Sequence, residues 1–191
     1  GADHGASMGE GGCWAKQIFA PQVQRVPRLI QWKNTLPAGA RCADITEGLD
    51  LARTLFGLCG IDAPDSFRGR DLFSDGPPEA VYSTIGFGLR ESQTFPYLRY
   101  GEYAENAGWP RRACVRTSEY RLDKTVLIAG HEPLQEQEDL FLADVRQDPC
   151  EAHNLAGDPA YQAVEAELLA ILDAHISGAV ESDMSVVYAS L

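Results

Sequence analysis

The chain has 191 residues, 45% of them hydrophobic, which is enough for one sizeable core or two small ones and too apolar for a disordered polymer. Sixteen Lys and Arg residues against 28 Asp and Glu leave a net charge of −12 with no local basic cluster to offset it. That balance argues against nucleic acid and anionic membrane surfaces as partners, and no apolar run approaches the roughly 20 residues a membrane-spanning helix needs.

In chain order, the first 12 residues, GADHGASMGEGG, read as a glycine-rich loop. QRVPRLIQW, apolar and β-branched ahead of LPAGAR, predicts a short strand ending in a Pro/Gly turn. DLARTLFGLCG predicts a helix with Asp50 as its N-cap, Leu51, Leu55 and Leu58 at helical spacing and Gly60 as its stop. Residues 61–80, rich in proline and glycine, read as the boundary between two structural units, residues 1–75 and 76–191. AVYSTIGF and RACVRTSEYRLDKTVLI then predict strands, with EDLFLADV as a third, in a small antiparallel sheet. DPAYQAVEAELLAILDAHI predicts a helix lying across that sheet, with Asp158 as N-cap, Pro159 at its first position, and Tyr161, Val164, Leu168, Ile171, Leu172 and His175 on one stripe.

Five cysteines, Cys13, Cys42, Cys59, Cys114 and Cys150, are widely spaced and never form a C-x-x-C pair, so the spacing indicates neither a disulfide framework nor a zinc site. Free, buried thiols are the expectation. The opening shows no initiator Met and no charged-then-apolar leader, which leaves the compartment open between periplasmic or secreted and cytoplasmic.

The opening also carries chemistry. Asp3 offers a hard oxygen ligand and His4 a nitrogen ligand, and in a glycine-permitted turn both can aim at one cation. Lys16 supplies a mobile ammonium suited to one oxygen of a sulfate or phosphate. Taken alone, D-H-G equally describes a solvated turn with a capping Asp, and Lys16 a surface lysine. Glu10 and Asp44 are further carboxylates that would suit the flank of such a pocket. Between Phe95 and Trp109 lie Tyr97, Tyr100 and Tyr103, followed by Arg111 and Arg112. These aromatics and arginines suit stacking on a sugar and pairing with its carboxylate, or packing of the loop onto the domain. His131 sits among acidic residues as in a solvated loop, and His153 and His175 read as capping or packing residues.

The ordered set of ADHGASMGEGGCWAK, RVPRLIQW, LPAGARC, EGLDLARTLFGLCGI and FRGRDL, followed by VRTSEYRL and DLFLADVRQDPCEAHNLAGDP, resembles the carboxyl-terminal portion of formylglycine-dependent sulfatases of the alkaline phosphatase superfamily. The D-H opening and the W-A-K spacing look most like the iduronate-sulfatase-like and choline-sulfatase-like branches. The resemblance implies an α/β fold: the end of the large sulfatase domain over residues 1–75, then a small subdomain, residues 76–191, with an antiparallel sheet and a packed C-terminal helix. It implies Asp3 and His4 as ligands of a calcium ion, Lys16 as the sulfate-binding lysine with a catalytic role, and a sulfated small molecule or sulfated sugar as substrate. It further implies a formylglycine made from the Cys or Ser of a C/S-x-P-x-R sequence, which none of the five cysteines begins. The chain therefore reads as a fragment whose partner is the missing N-terminal part of the same domain, and which alone binds metal weakly and turns nothing over. Gly11 where the family commonly has His, Arg28 within an apolar run and Lys33-Asn34 in place of Pro-Gly are departures from the pattern. Two other readings stay open: a phosphatase or phosphonate monoester hydrolase of the same superfamily, and a non-catalytic binding module.

Overall fold

The computed structural model describes residues 1–10, 14–16, 19–85, 110–128 and 140–178. Its opening is not an open loop. Strands β1 (Ser7–Met8) and β2 (Trp14–Ala15) pair antiparallel, with Ser7 opposite Ala15 and Met8 opposite Trp14. The Met8 amide donates to Glu10 Oε2 at 2.6 Å, which makes Glu10 a cap of this hairpin. A one-turn helix, α1 (Pro21–Gln24), follows, with Phe19 and Val23 buried beside it.

The strand expected in QRVPRLIQW is absent: residues 25–32 form neither strand nor helix. Among the described residues no neighbour offers them a ladder, and Pro27 has no N–H to contribute. Leu29 is accordingly 82% exposed. Arg28, the odd residue of this run, donates through Nη2 to the Glu47 carbonyl at 2.8 Å. Asn34 adopts a left-handed φ of 65° within the following turn, a conformation Asn tolerates better than most residues, so the replacement of Pro-Gly keeps a turn there.

Helix α2 (Asp50–Leu58) ends as expected, with Gly60 at φ 66°. Its packing is inverted relative to the expectation. Asp50 and Thr54 are buried while Leu51 and Leu55 are exposed. Asp50 is the first helical residue and not the N-cap: its carboxylate accepts from the amides of Glu47 at 2.8 Å and Arg70 at 2.9 Å. The Leu72 amide donates to Thr54 Oγ1 at 3.1 Å. Residues 61–80 contain no helix or strand and fold back on the polar side of α2 through these bonds.

The terminal unit is a four-stranded antiparallel sheet in the order β3 (Val81–Ile85), β4 (Pro110–Arg116), β5 (Tyr120–Ile128), β6 (Leu140–Asp144). RACVRTSEYRLDKTVLI thus supplies two strands where one was expected. Thr117 breaks it, its Oγ1 accepting from the amides of Glu119 at 3.2 Å and Tyr120 at 2.9 Å to close a hairpin. Period-two alternation sorts the side chains between the faces. Ala113, Val115, Leu122 and Leu142 form a dry core with Leu168 and Leu172 of helix α3 (Gln162–Gly178). Helix α3 begins after the predicted start, because Asp158 caps a preceding turn instead, accepting from the Ala160 amide at 2.9 Å. The predicted stripe does face the sheet, and His175 stacks on Tyr82 with ring centres 3.8 Å apart.

The opposite face of the sheet carries Arg112, Cys114, Arg116, Arg121, Asp123 and Thr125, and all except Arg116, which is mostly covered, are buried. Burial pushes the Cys114 thiol up to about 12, with the nearby Asp123 charge adding to the effect. Cys42, Cys59 and Cys150 are free and exposed, against the expectation of buried thiols. Their surroundings are loops and a helix end, where cysteine packs against nothing.

Candidate functional site

The β1–β2 register explains how residues twelve apart in sequence meet. The hairpin returns the chain so that Lys16 Nζ lies 2.8 Å from His4 Nε2. His4 Nδ1 lies 2.8 Å from the Gly5 carbonyl, and since a carbonyl only accepts, Nδ1 is the protonated nitrogen. Nε2 is left with its lone pair facing outward, accepting from the Lys16 ammonium. Asp3 Oδ2 is 3.5 Å from the same Nε2, and Asp3 Oδ1 accepts from the His4 amide at 2.9 Å. That amide and the residue's own backbone hold the exposed Asp3 carboxyl below the ordinary carboxylate range, so it is charged at neutral pH.

A carboxylate oxygen, an imidazole lone pair and an ammonium therefore converge at one point of the surface. The donor set fits a divalent cation as part of a coordination shell: an ionised carboxylate beside a nitrogen whose tautomer is set for ligation. Among the described residues no group of three or more His, Cys, Asp or Glu side chains could complete it.

The turn is seated on α1. The Gly5 amide donates to the Val23 carbonyl at 2.8 Å, and Gln22 Nε2 donates to the fully buried Ser7 hydroxyl at 3.0 Å. A Cβ on Gly5 would lie 2.0 Å from the Gln22 carbonyl oxygen, so position 5 admits only glycine while this seat holds.

The remaining expected site residues part company with this cluster. Arg112, expected to pair with a substrate carboxylate, is 3% exposed and bonded within the sheet to Asp123 and to Thr125 Oγ1. Arg111 stands in β4 at a shift in register between the two arginines. The Phe95–Trp109 aromatics and His131 lie outside the described residues. His153 caps as expected, its Nδ1 3.0 Å from Asp148 Oδ2.

Nothing in the local pattern marks Glu151 as a buried residue. It has a left-handed φ of 52°, and its side chain is wholly buried among Arg25, Arg116 and Arg121. Arg116 grips both of its oxygens, Nη1 to Oε1 at 2.7 Å and Nη2 to Oε2 at 2.9 Å. Arg25 Nη2 reaches Oε1 at 3.2 Å. Arg121 Nε lies 3.0 Å from Oε2 but off the line of a hydrogen bond, so that contact is ionic without being directional. Asp148 builds the turn beneath, its carbonyl accepting the Glu151 amide at 2.9 Å and its Oδ2 those of Ala152 at 2.7 Å and His153 at 3.0 Å. No local pattern signals this hub, whose members come from α1, β4, β5 and a loop.

Known proteins resemble this chain over most of its length. The chain is 25% identical over 172 residues to an N-acetylglucosamine-6-O-sulfatase of Bacteroides thetaiotaomicron, a match covering 90% of this chain and 28% of that protein. It is 30% identical over 172 residues to a choline-sulfatase of Rhizobium meliloti, covering 90% of this chain and 29% of the relative. The chain thus spans less than a third of the length of either. The solved structure of BT4656 in complex with its substrate D-glucosamine-2-N,6-O-disulfate shares the fold, with a TM-score of 0.69 and 21% identity over 91% of this chain and 32% of that one. Residues 9–177 match the family described as N-sulphoglucosamine sulphohydrolase, C-terminal, and the chain belongs to that family.

Proposed function

We propose that this chain is the carboxyl-terminal part of a sulfuric ester hydrolase and that its opening turn forms one side of the active site. The observation that carries the reading is the convergence of Asp3 Oδ2, His4 Nε2 and Lys16 Nζ, with Nε2 3.5 Å from the carboxylate and 2.8 Å from the ammonium. In this reading Asp3 and His4 hold a divalent cation, calcium in keeping with the family resemblance, whose remaining ligands come from polypeptide preceding Gly1. When bound, such a cation withdraws charge from the sulfate oxygens as the S–O bond breaks.

Lys16 binds the sulfate of the substrate. Its ammonium is the mobile member of the cluster, on a flexible stem at the end of β2; displaced from the His4 Nε2 lone pair by a cation bound there, it would be free to take a sulfate oxygen. It then offsets the charge that builds on that oxygen in the transition state. His4 stays fixed by its Nδ1–H bond to the Gly5 carbonyl, so its lone pair keeps one direction throughout. The nucleophile, a formylglycine in enzymes of this kind, belongs to the preceding polypeptide.

The names of the relatives support a sulfated amino sugar as the substrate class, with choline sulfate as the competing one. The test is sulfate release by the full-length protein from N-acetylglucosamine 6-sulfate, choline sulfate and an aryl sulfate, each compared with its Lys16→Ala variant. Loss of roughly a hundredfold or more in kcat in the variant is expected from removing one transition-state charge partner. Undiminished sulfate release by Lys16→Ala would remove Lys16 from the site, and release of phosphate from phosphomonoesters without any sulfatase activity would reassign the reaction.

A further inference from the structure

Glu151 stands where the opening segment meets the terminal sheet. Among hydrogen bonds between described residues, those joining residues 1–79 to residues 80–178 run through this carboxylate and its partner Arg116: Arg25 to Glu151 at 3.2 Å, and Arg116 Nη2 to Gln24 Oε1 at 3.3 Å. Both ends on the opening side belong to the last turn of α1 and its cap. Arg25 is the C-cap of that helix, its own amide donating to the Pro21 carbonyl. One residue back from Gln24, the Val23 carbonyl receives the Gly5 amide. Two hydrogen bonds and a single turn of helix thus connect a wholly buried carboxylate to the residue next to His4.

An apolar contact of the same size would join the two parts without withdrawing Glu151, Arg116 and Arg121 from water; Arg25 remains half-exposed. What charged partners add is direction: the forked Arg116 guanidinium on both Glu151 oxygens fixes the plane of the carboxylate, and a plane so fixed leaves Arg25 one approach. The left-handed backbone at Glu151, held by the Asp148 turn, shows that the surrounding structure over-determines this placement.

We propose that Glu151, acting through Arg25, is a positioning residue for the opening turn. The terminal subdomain holds α1 at one angle, and α1 in turn holds the Asp3 and His4 ligands where the preceding polypeptide needs them. The functional meaning of that placement rests on the assignment of the opening turn to the active site.

Arg25→Met in the full-length protein is the informative variant, because Glu151 keeps Arg116 and Arg121 and the sheet keeps its core. Hydrogen–deuterium exchange should quicken for residues 3–8 and stay at wild-type rates for β4 and β5. Calcium affinity by titration calorimetry should fall by roughly tenfold to a hundredfold, as when the support of a ligand is removed, with kcat falling more than KM changes. Arg25→Lys, which keeps the charge and loses the fork, should recover part of each effect and serves if the methionine variant fails to accumulate. Exchange at wild-type rates in residues 3–8, equal quickening of the sheet, or calcium affinity unchanged despite faster exchange would each overturn the proposal. A wild-type protein that releases no sulfate would sink the functional assignment instead, while the exchange comparison would still decide whether Arg25 and Glu151 set the turn.

Discussion

The opening turn and the terminal sheet hold their charges by opposite means. In the turn, Asp3, His4 and Lys16 are exposed, and the segment is kept in shape by backbone bonds and one glycine that lets it lie against the Gln22 carbonyl. In and against the sheet, Arg112, Arg121, Asp123 and the loop residue Glu151 are buried, each charge answered by another, over a core that includes Leu122, Leu142 and Leu172 with no exposed surface. Charges proposed to meet a ligand stay in reach of water and are positioned by the chain beneath them. Charges that fix architecture are withdrawn from water and spend their hydrogen-bonding capacity on one another.

The contrast can be broken at its strongest point first. Glu151→Gln should destabilise the fold by about 3–5 kcal/mol, read from urea unfolding, because it strands three arginines around a neutral side chain. Leu142→Ala, a cavity in the dry core, should cost about 2–5 kcal/mol in the same experiment. On the side of the turn, Gly5→Ala should cost roughly 1–3 kcal/mol, since backbone must shift to admit the methyl, and should abolish calcium binding by the full-length protein while leaving the sheet's exchange protection intact. A smaller effect is expected from pH. The Asp148 carboxyl is held below the ordinary carboxylate range by His153 and by the amides of His153 and Ala152. Its contribution is therefore complete above the ordinary value of 3.8 and is lost as pH falls through the lowered folded value, so Asp148→Asn should flatten the acid limb of a stability profile below that ordinary value. Leu51→Gln, on the exposed side of α2, should change stability by no more than about 0.5 kcal/mol; a loss near that of Leu142→Ala would show that this side is covered in solution.

The sheet and α3 were legible because their signals are local. Alternating Val, Leu and Tyr along the strands and the Tyr161–Leu172 stripe report a face that is buried by elements near in sequence. Three features escaped for a common reason. The strand expected in QRVPRLIQW has no ladder partner among the described residues, α2 buries Asp50 and Thr54 because residues 70–72 supply their hydrogen bonds, and Arg112 turns inward because Asp123 waits on the next strand. Each depends on a partner whose place the local pattern does not record. At the candidate site, Asp3, His4 and Lys16 stood out in the sequence by their chemistry and by the resemblance, whereas the hairpin that joins them and the Gln22 seat beneath Gly5 did not. A ladder of two residues per strand is too short to leave a periodic trace. Glu151 was the least legible residue of all, since its partners lie 126, 35 and 30 positions away in sequence.

Cys114, in the middle of β4, gives the terminal sheet a built-in reporter. With its proton held until about pH 12, it offers almost no thiolate to an alkylating reagent while the strands stay together, whereas Cys42, Cys59 and Cys150 are open to labelling from the start. In a Cys13→Ala variant with those three blocked, slow incorporation of one further label at neutral pH would time how often β4 parts from its neighbours.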